Sequence, residues 1–190
     1  MPFQARESAV ELWISEANGR SEEALLSLEQ EIVGLFDEMR NRLLRYALSF
    51  GLSIPDGEDI LQEVFLALFH HLRQGRSRAN LRGWVFRVTH NLALKRRSAN
   101  QRSPELAEAD GAAEPCDPAP GAEEQLLIGE RRLRLLAVLR ALPETDERCL
   151  RLRAEGLRYR EIAQVLGISL GAVSISLARS LARLERAEMR

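Results

Sequence analysis

Apolar positions recur along most of the chain with a helical period. Val10, Trp13, Ile14 and Ala17 fall at i, i+3, i+4 and i+7, the stripe of an amphipathic helix. Leu25, Leu28, Ile32, Leu35, Phe36, Met39 and Leu43 carry the period on and predict a second, longer helix. "FGLSIPDGED" interrupts it with two glycines and a proline. A third helix is expected from about Asp56–Asp59 to Arg73, with Ile60, Leu61, Val64, Phe65, Leu68 and Leu72 on its buried side. After the turn "RQGRSRAN" a fourth runs from about Leu81 to Arg97, its stripe being Leu81, Trp84, Val85, Val88 and Leu92. Residues 126–142 are again helix-like, and "LPETDER" starts another helix after Pro143. No segment alternates with period two, so the expected fold class is all-α.

Between these helical parts lies "SPELAEADGAAEPCDPAPGAEE", residues 103–124, with four prolines, two glycines and no sustained apolar period. It reads as an acidic flexible linker. The expected organisation is an N-terminal helical extension (1–28), a small helical bundle (29–102), the linker (103–124) and a second small helical domain (125–190).

Charge sharpens this division. The 190 residues have a net charge of only −1, but the charge is segregated. Residues 1–63 carry 13 acids and 5 bases; residues 64–102 carry 9 bases and no acid. The linker holds 7 acids and no base, and residues 125–190 hold 13 bases and 8 acids. Two basic blocks separated by an acidic spacer point to two polyanion-facing surfaces. Two cysteines, Cys116 and Cys149, are too few for a disulfide framework. The start "MPFQARESAV" lacks a secretory pattern, and no run of about 18 apolar residues exists to span a membrane. A cytoplasmic protein with reduced thiols and no membrane insertion is therefore expected. No phosphate-binding glycine loop, metal-ligand cluster or nucleophile–base pair stands out, so neither an enzyme nor a cofactor is expected. His70 and His71 near Glu63 are the one metal-like grouping, and adjacent histidines on a helix point apart.

The most informative stretch is "LRYREIAQVLGISLGAVSISLARSLARLER". A helix-turn-helix needs a short helix, a tight turn and a second helix crossing steeply. Ile162, Val165 and Leu166 supply the first buried face, and Ala163 is small where the second helix passes. Gly167 suits a left-handed helix end and Ser169 a helix N-cap. Val173, Leu177, Leu181 and Leu184 share one face of the second helix, leaving Leu170, Gly171, Ser174 and Ala178 to meet a major groove.

At this point the chain resembles a known family. "LPETDERCLRLRAEGLRYREIAQVLGISLGAVSISLARSLARL" is similar to region 4 of bacterial RNA polymerase sigma factors, and "DGEDILQEVFLALFHHL" with "LRGWVFRVTHNLALKRRS" is similar to region 2. The two regions stand in the right order over roughly Leu35–Arg102 and Leu126–Arg186, with no folded region 3 between them, which resembles the extracytoplasmic-function (ECF) group. The resemblance implies a transcription initiation factor whose partners are core RNA polymerase, promoter DNA and an anti-sigma factor.

It also implies roles for residues. Asp59, Gln62 and Glu63, one face at i, i+3 and i+4, would dock on the polymerase. Arg82, Phe86, Arg87, His90, Asn91, Lys95, Arg96 and Arg97 would hold the melted promoter. In that set Phe86, off the apolar stripe, is expected to be exposed and to stack on a base, His90 to be a polar surface residue, and Trp84 to be core. In the helix-turn-helix, Ser169, Leu170, Gly171 and Ser174 would face the groove, with Arg158, Arg160, Arg179 and Arg183 on phosphates. The family pattern has a base soon after the buried valine, whereas this chain has Ser174, Ile175 and Ser176. Two other readings stay open from the residues: a sigma-like regulator that binds an anti-sigma factor and not promoters, and a plain helix-turn-helix regulator.

Overall fold

The computed structural model describes residues 4–102 and 133–189, with side chains from residue 26 onward. The acidic linker lies outside the described residues, as do Cys116 and the side chains of residues 10–17. Every regular element among the described residues is an α-helix. They are α1 (Gln4–Leu48), α2 (Ile54–Arg73), α3 (Leu81–Arg102), α4 (residues 133–140), α5 (Glu144–Ala154), α6 (Tyr159–Leu166) and α7 (Leu170–Glu188).

The two helices expected before residue 48 are one. Gly19 stands between the two expected stripes, and a single glycine costs roughly 1 kcal/mol relative to alanine, too little to end a helix. α1 buries Leu28, Met39, Leu43, Tyr46 and Ala47. α2 starts two residues earlier than the acids suggested. Ser53 caps it, its Oγ accepting from Asp56 N at 3.2 Å, and Pro55 occupies the first turn. Its buried side is the expected Ile60, Leu61, Val64, Phe65, Leu68 and Leu72.

α3 is rotated from its expected stripe. Val85, Phe86, Thr89, His90 and Ala93 are buried, whereas Leu81, Trp84, Val88 and Leu92 are half-buried. The cause is its position between two neighbours: α3 packs on α1 and α2 along one flank and on α6 along another. Apolar count alone sees one face of such a helix, not two.

In the second unit α5, α6 and α7 enclose Cys149, Leu152, Leu157, Ile162, Val165, Val173 and Leu177. α6 and α7 meet at 106°. The turn forms as its residues dictate. Gly167 takes φ 66°, a left-handed conformation that admits glycine without a Cβ clash, and Ser169 Oγ accepts from Ala172 N at 3.1 Å. The helix-turn-helix is thus built at the expected residues, with one exception. Leu181 is 48% exposed, and its place in the core is taken by Ser176 and Ser180, both buried.

Candidate nucleic-acid interface

Asp59, Gln62 and Glu63 are all exposed on the outer face of α2, beside Leu66. Arg96 reaches over from α3 to this acidic row, 2.7 Å from Asp56, 3.7 Å from Asp59 and 4.0 Å from Glu63. Asn100 Nδ2 also donates to Asp56 at 3.0 Å. Burial pushes the Asp56 carboxyl up, but these donors and Ser53 outweigh it and hold the group below its usual value. Arg96, expected on DNA, is here a clamp between α3 and α2. The acids beyond it remain in water and suit a basic partner.

Along α3 the expected DNA-facing residues separate into two sets. Arg87, Asn91 and Lys95 are exposed at i, i+4 and i+8, a continuous polar-basic strip. Phe86 and His90 are not on it, which corrects both expectations. Phe86 is fully buried, edge-on to Tyr46 at 5.6 Å between ring centroids. His90 is 7% exposed and shares a 2.9 Å hydrogen bond through Nδ1 with Tyr46 Oη. Burial and the adjacent Arg148 lower its pKa to about 4, so the ring is neutral at pH 7. Trp84 packs against the core as expected but is only half-buried, its ring tilted over that of His71 at 4.8 Å, so it is the aromatic of α3 that keeps some exposure. His71 Nε2 also bonds Ser77 O at 3.0 Å, holding the loop before α3.

Arg82 and Arg97 turn inward, to the seam between the two helical units. Arg97 pairs with Glu144 at 2.7 Å. Arg82 donates through Nη2 to the main-chain carbonyl of Glu155, as does Arg42 Nη2. Arg42 Nε reaches the Glu155 carboxylate at 2.9 Å and Arg45 Nη2 at 3.2 Å. Arg42 and Arg45, on α1, were missed by sequence reasoning: they sit in an acid-rich block whose net charge conceals them. Gly156, at φ 80°, allows this approach, since a Cβ there would stand 3.0 Å from Arg82 Nη2. Arg148 completes the seam with its guanidinium 3.6 Å above the Phe50 ring.

In the helix-turn-helix, Ser169, Leu170, Gly171 and Ser174 are exposed together at the start of α7, and Arg158, Arg160 and Arg183 are exposed around it. Arg179 differs. It grips the buried Asp146 with both arms, Nε to Oδ2 and Nη2 to Oδ1, each at 2.7 Å, while Ser176 Oγ donates to Oδ1 at 2.6 Å. The Arg179 hydrogen bonds pull the Asp146 carboxyl below its usual value against the effect of burial. The serine-rich segment thus has a structural reason: Ser176 and Ser180 face inward, whereas Ser174 is exposed. Arg82, Arg158 and Arg160 line a cleft of about 840 Å³ between the two units, with Asn80, Tyr159 and Leu170. Among the described residues no group of three or more His, Cys, Asp or Glu is placed to hold a metal, and no single helix is long and apolar enough to cross a membrane.

Residues 35–103 match the family model for Sigma-70 region 2 and residues 132–184 that for Sigma-70 region 4. The chain is 32% identical over 146 residues to a probable RNA polymerase sigma factor, RfaY, of Xanthomonas campestris, covering 75% of this chain and 36% of that one. It is 32% identical over 148 residues to the ECF RNA polymerase sigma factor SigE of Mycolicibacterium smegmatis, covering 76% and 56%. With the RNA polymerase sigma factor NccH of Alcaligenes xylosoxydans it shares 30% identity over 145 residues, 75% of this chain and 78% of the relative. The chain therefore spans about a third of RfaY and just over half of SigE. Its fold is similar to that of the sigma factor RpoE of Bartonella quintana in complex with the anti-sigma factor NepR (TM-score 0.58, 18% identity, covering 86% and 97%). It is also similar to that of CnrH in complex with the cytosolic domain of CnrY (TM-score 0.52, 23% identity, covering 83% and 87%).

Proposed function

The chain belongs to the sigma-70 family of RNA polymerase sigma factors and is of the ECF type, and on that premise we propose that it binds core RNA polymerase, directs it to particular promoters and helps to melt them. One observation carries the reading. A solvent-facing acidic and polar row, Asp59, Gln62 and Glu63, lies on α2, its Glu63 sharing a shallow pocket with Lys95 of the exposed Arg87–Asn91–Lys95 strip of α3, and a helix-turn-helix follows in the same chain. The acids suit a basic protein surface and the strip suits a phosphate backbone, so polymerase and DNA are held side by side.

The work is division of labour without chemical catalysis by this chain. The α2 row docks. Arg87 and Lys95 attract the promoter in a salt-dependent way, and Asn91 offers an amide to a base edge or phosphate. At the upstream end of the promoter, the N-terminus of α7 enters the major groove with Leu170, Gly171 and Ser174, while Arg158, Arg160 and Arg183 anchor to phosphates. Small neutral groups on that helix permit close approach but supply few base-specific bonds, so shape and deformability of the DNA contribute much of the recognition. Arg82 and Arg97 are engaged in the seam, so the two units separate before those residues reach DNA. A partner that keeps the seam shut would keep the factor inactive. RpoE of Bartonella quintana is in complex with the anti-sigma factor NepR, and an anti-sigma factor in the cytoplasm is the partner we assign to this chain.

Asp59→Arg with Glu63→Arg is the direct test. Co-purification with core polymerase is lost while the circular dichroism spectrum is unchanged; retained binding refutes the docking assignment. The closed seam also favours a second reading, a sigma-like regulator that never engages promoters. It requires that promoter DNA stay unbound even when core polymerase is present.

A further inference from the structure

Three arginines from two helices of the first unit, Arg42, Arg45 and Arg82, converge on a single residue of the second, Glu155. We propose that this cradle is a phosphate site for the promoter strand, and that Glu155 occupies it as a phosphate mimic while the two units are closed. The inference rests on the initiation-factor reading and deepens it, because it places the DNA backbone on α1, where neither the sequence pattern nor the family match assigns a contact.

The charge balance points to an anion. Three guanidinium groups meet at one residue with a single negative charge, Arg42 and Arg45 at its carboxylate and Arg82 at its main-chain carbonyl, so the closed state leaves the cradle with surplus positive charge. Arg82 Nε is buried without a hydrogen-bond partner among the described residues, so the donors outnumber the acceptors as well. Without Glu155 three like charges would be held together by α1 and α3 with nothing between them. A site of that kind takes up an anion.

The form of the acceptor points to a phosphodiester. Glu155 presents its carboxylate to Arg42 and Arg45 and its main-chain carbonyl to Arg42 and Arg82. The cradle thus grips a ligand that shows only oxygen and bears one full negative charge. A backbone phosphate offers the same, two non-bridging oxygens sharing one charge, and arginine forks match it with paired N–H bonds. Location favours nucleic acid over an acidic protein. Arg82 belongs both to the cradle and to the lining of the 840 Å³ cleft, to which the second unit contributes Arg158 and Arg160. A strand leaving the cradle would run along arginines. The same three side chains cannot serve Glu155 and DNA together, so closure and promoter binding compete.

The test uses the full chain, a fluorescein-labelled single-stranded DNA oligomer and anisotropy at several salt concentrations. Glu155→Gln removes the charge and keeps the shape. It raises affinity several-fold and steepens the dependence of log K on log salt by about 0.7 for each phosphate gained. In that background Arg42→Ala and Arg45→Ala each return the slope by about the same amount, and Arg45→Lys restores part of the loss. An affinity and slope unchanged by Glu155→Gln overturn the proposal, whether or not the units separate. So does a gain that persists in Glu155→Gln/Arg42→Ala/Arg45→Ala, which would mean that opening merely uncovers other bases. Binding of the same proteins to core polymerase separates the two levels. A chain that ignores core polymerase refutes the initiation-factor reading, whereas normal core binding with a flat DNA response refutes the cradle alone.

Discussion

Asp146 of α5 fixes α7 through Ser176 and Arg179, and removing it has a calculable cost. The side chain is 1% exposed and receives Ser176 Oγ at 2.6 Å besides both arms of Arg179. In Asp146→Ala the Arg179 head, half in solvent already, returns to water. The Ser176 hydroxyl, on a residue 2% exposed, loses the carboxylate. An unsatisfied buried hydroxyl costs about 1–3 kcal/mol, and that is the expected loss for the α5–α7 unit. Ser176→Ala alone takes one of several donors from the carboxylate and costs about 1 kcal/mol. Together the two changes cost less than their separate effects, by about 1 kcal/mol, because the orphaned hydroxyl is gone from the double variant. Hydrogen exchange at the amides of α5 and α7 reads the opening free energy of this unit without requiring the whole chain to unfold in one step. Effects additive to within about 0.5 kcal/mol would refute the reasoning. The pH dependence has a definite sign. The Asp146 carboxyl lies below its usual value when folded, so its contribution is complete above the ordinary aspartate range and disappears as pH falls through the lower folded value.

Three other outcomes follow from the geometry. Phe86→Ala lowers stability by about 3–5 kcal/mol in urea unfolding, because the ring is fully buried; normal stability with a specific defect in promoter melting would restore it to the DNA surface. His90, neutral at a folded pKa of about 4 against 6.5 ordinarily, contributes stability that is complete above pH 6.5 and declines as pH falls towards 4, so His90→Gln flattens thermal stability measured across that window, and an unchanged slope contradicts the assignment. Ser174→Arg, on the exposed side of α7, raises the affinity of the full chain for duplex promoter DNA several-fold in anisotropy; unchanged affinity would mean that this face does not meet the duplex.

How much of this was legible depended on whether one residue or several decided the outcome. The turn at Gly167–Ser169 could be read directly, since a left-handed residue and an N-cap are each dictated locally. The buried side of α2 could be read as well, because that helix has one core-facing stripe. Phe86 and His90 could not. Their burial requires Tyr46 in the last turn of α1, Phe50 just beyond it and Arg148 from α5, partners separated from them by tens of residues. The inward turn of Ser176 could not be read either, because periodicity treats serine as polar and only the buried Asp146, distant in sequence, gives its hydroxyl a reason to point inward. The cradle was hidden for a related reason. Arg42 and Arg45 stand among acids in the sequence, and what groups them with Arg82 is the packing of α1 on α3 and the approach of Glu155 from the second unit.

Transcription in vitro shows whether the chain directs core polymerase to promoters. Purified chain is added to core RNA polymerase on a library of promoter templates, and transcripts are mapped by their start sites. Initiation is expected from a limited subset of templates, dependent on the added chain and lost with Asp59→Arg/Glu63→Arg. Core polymerase that binds the chain yet starts no transcripts on any template, or starts the same ones without it, would contradict the account.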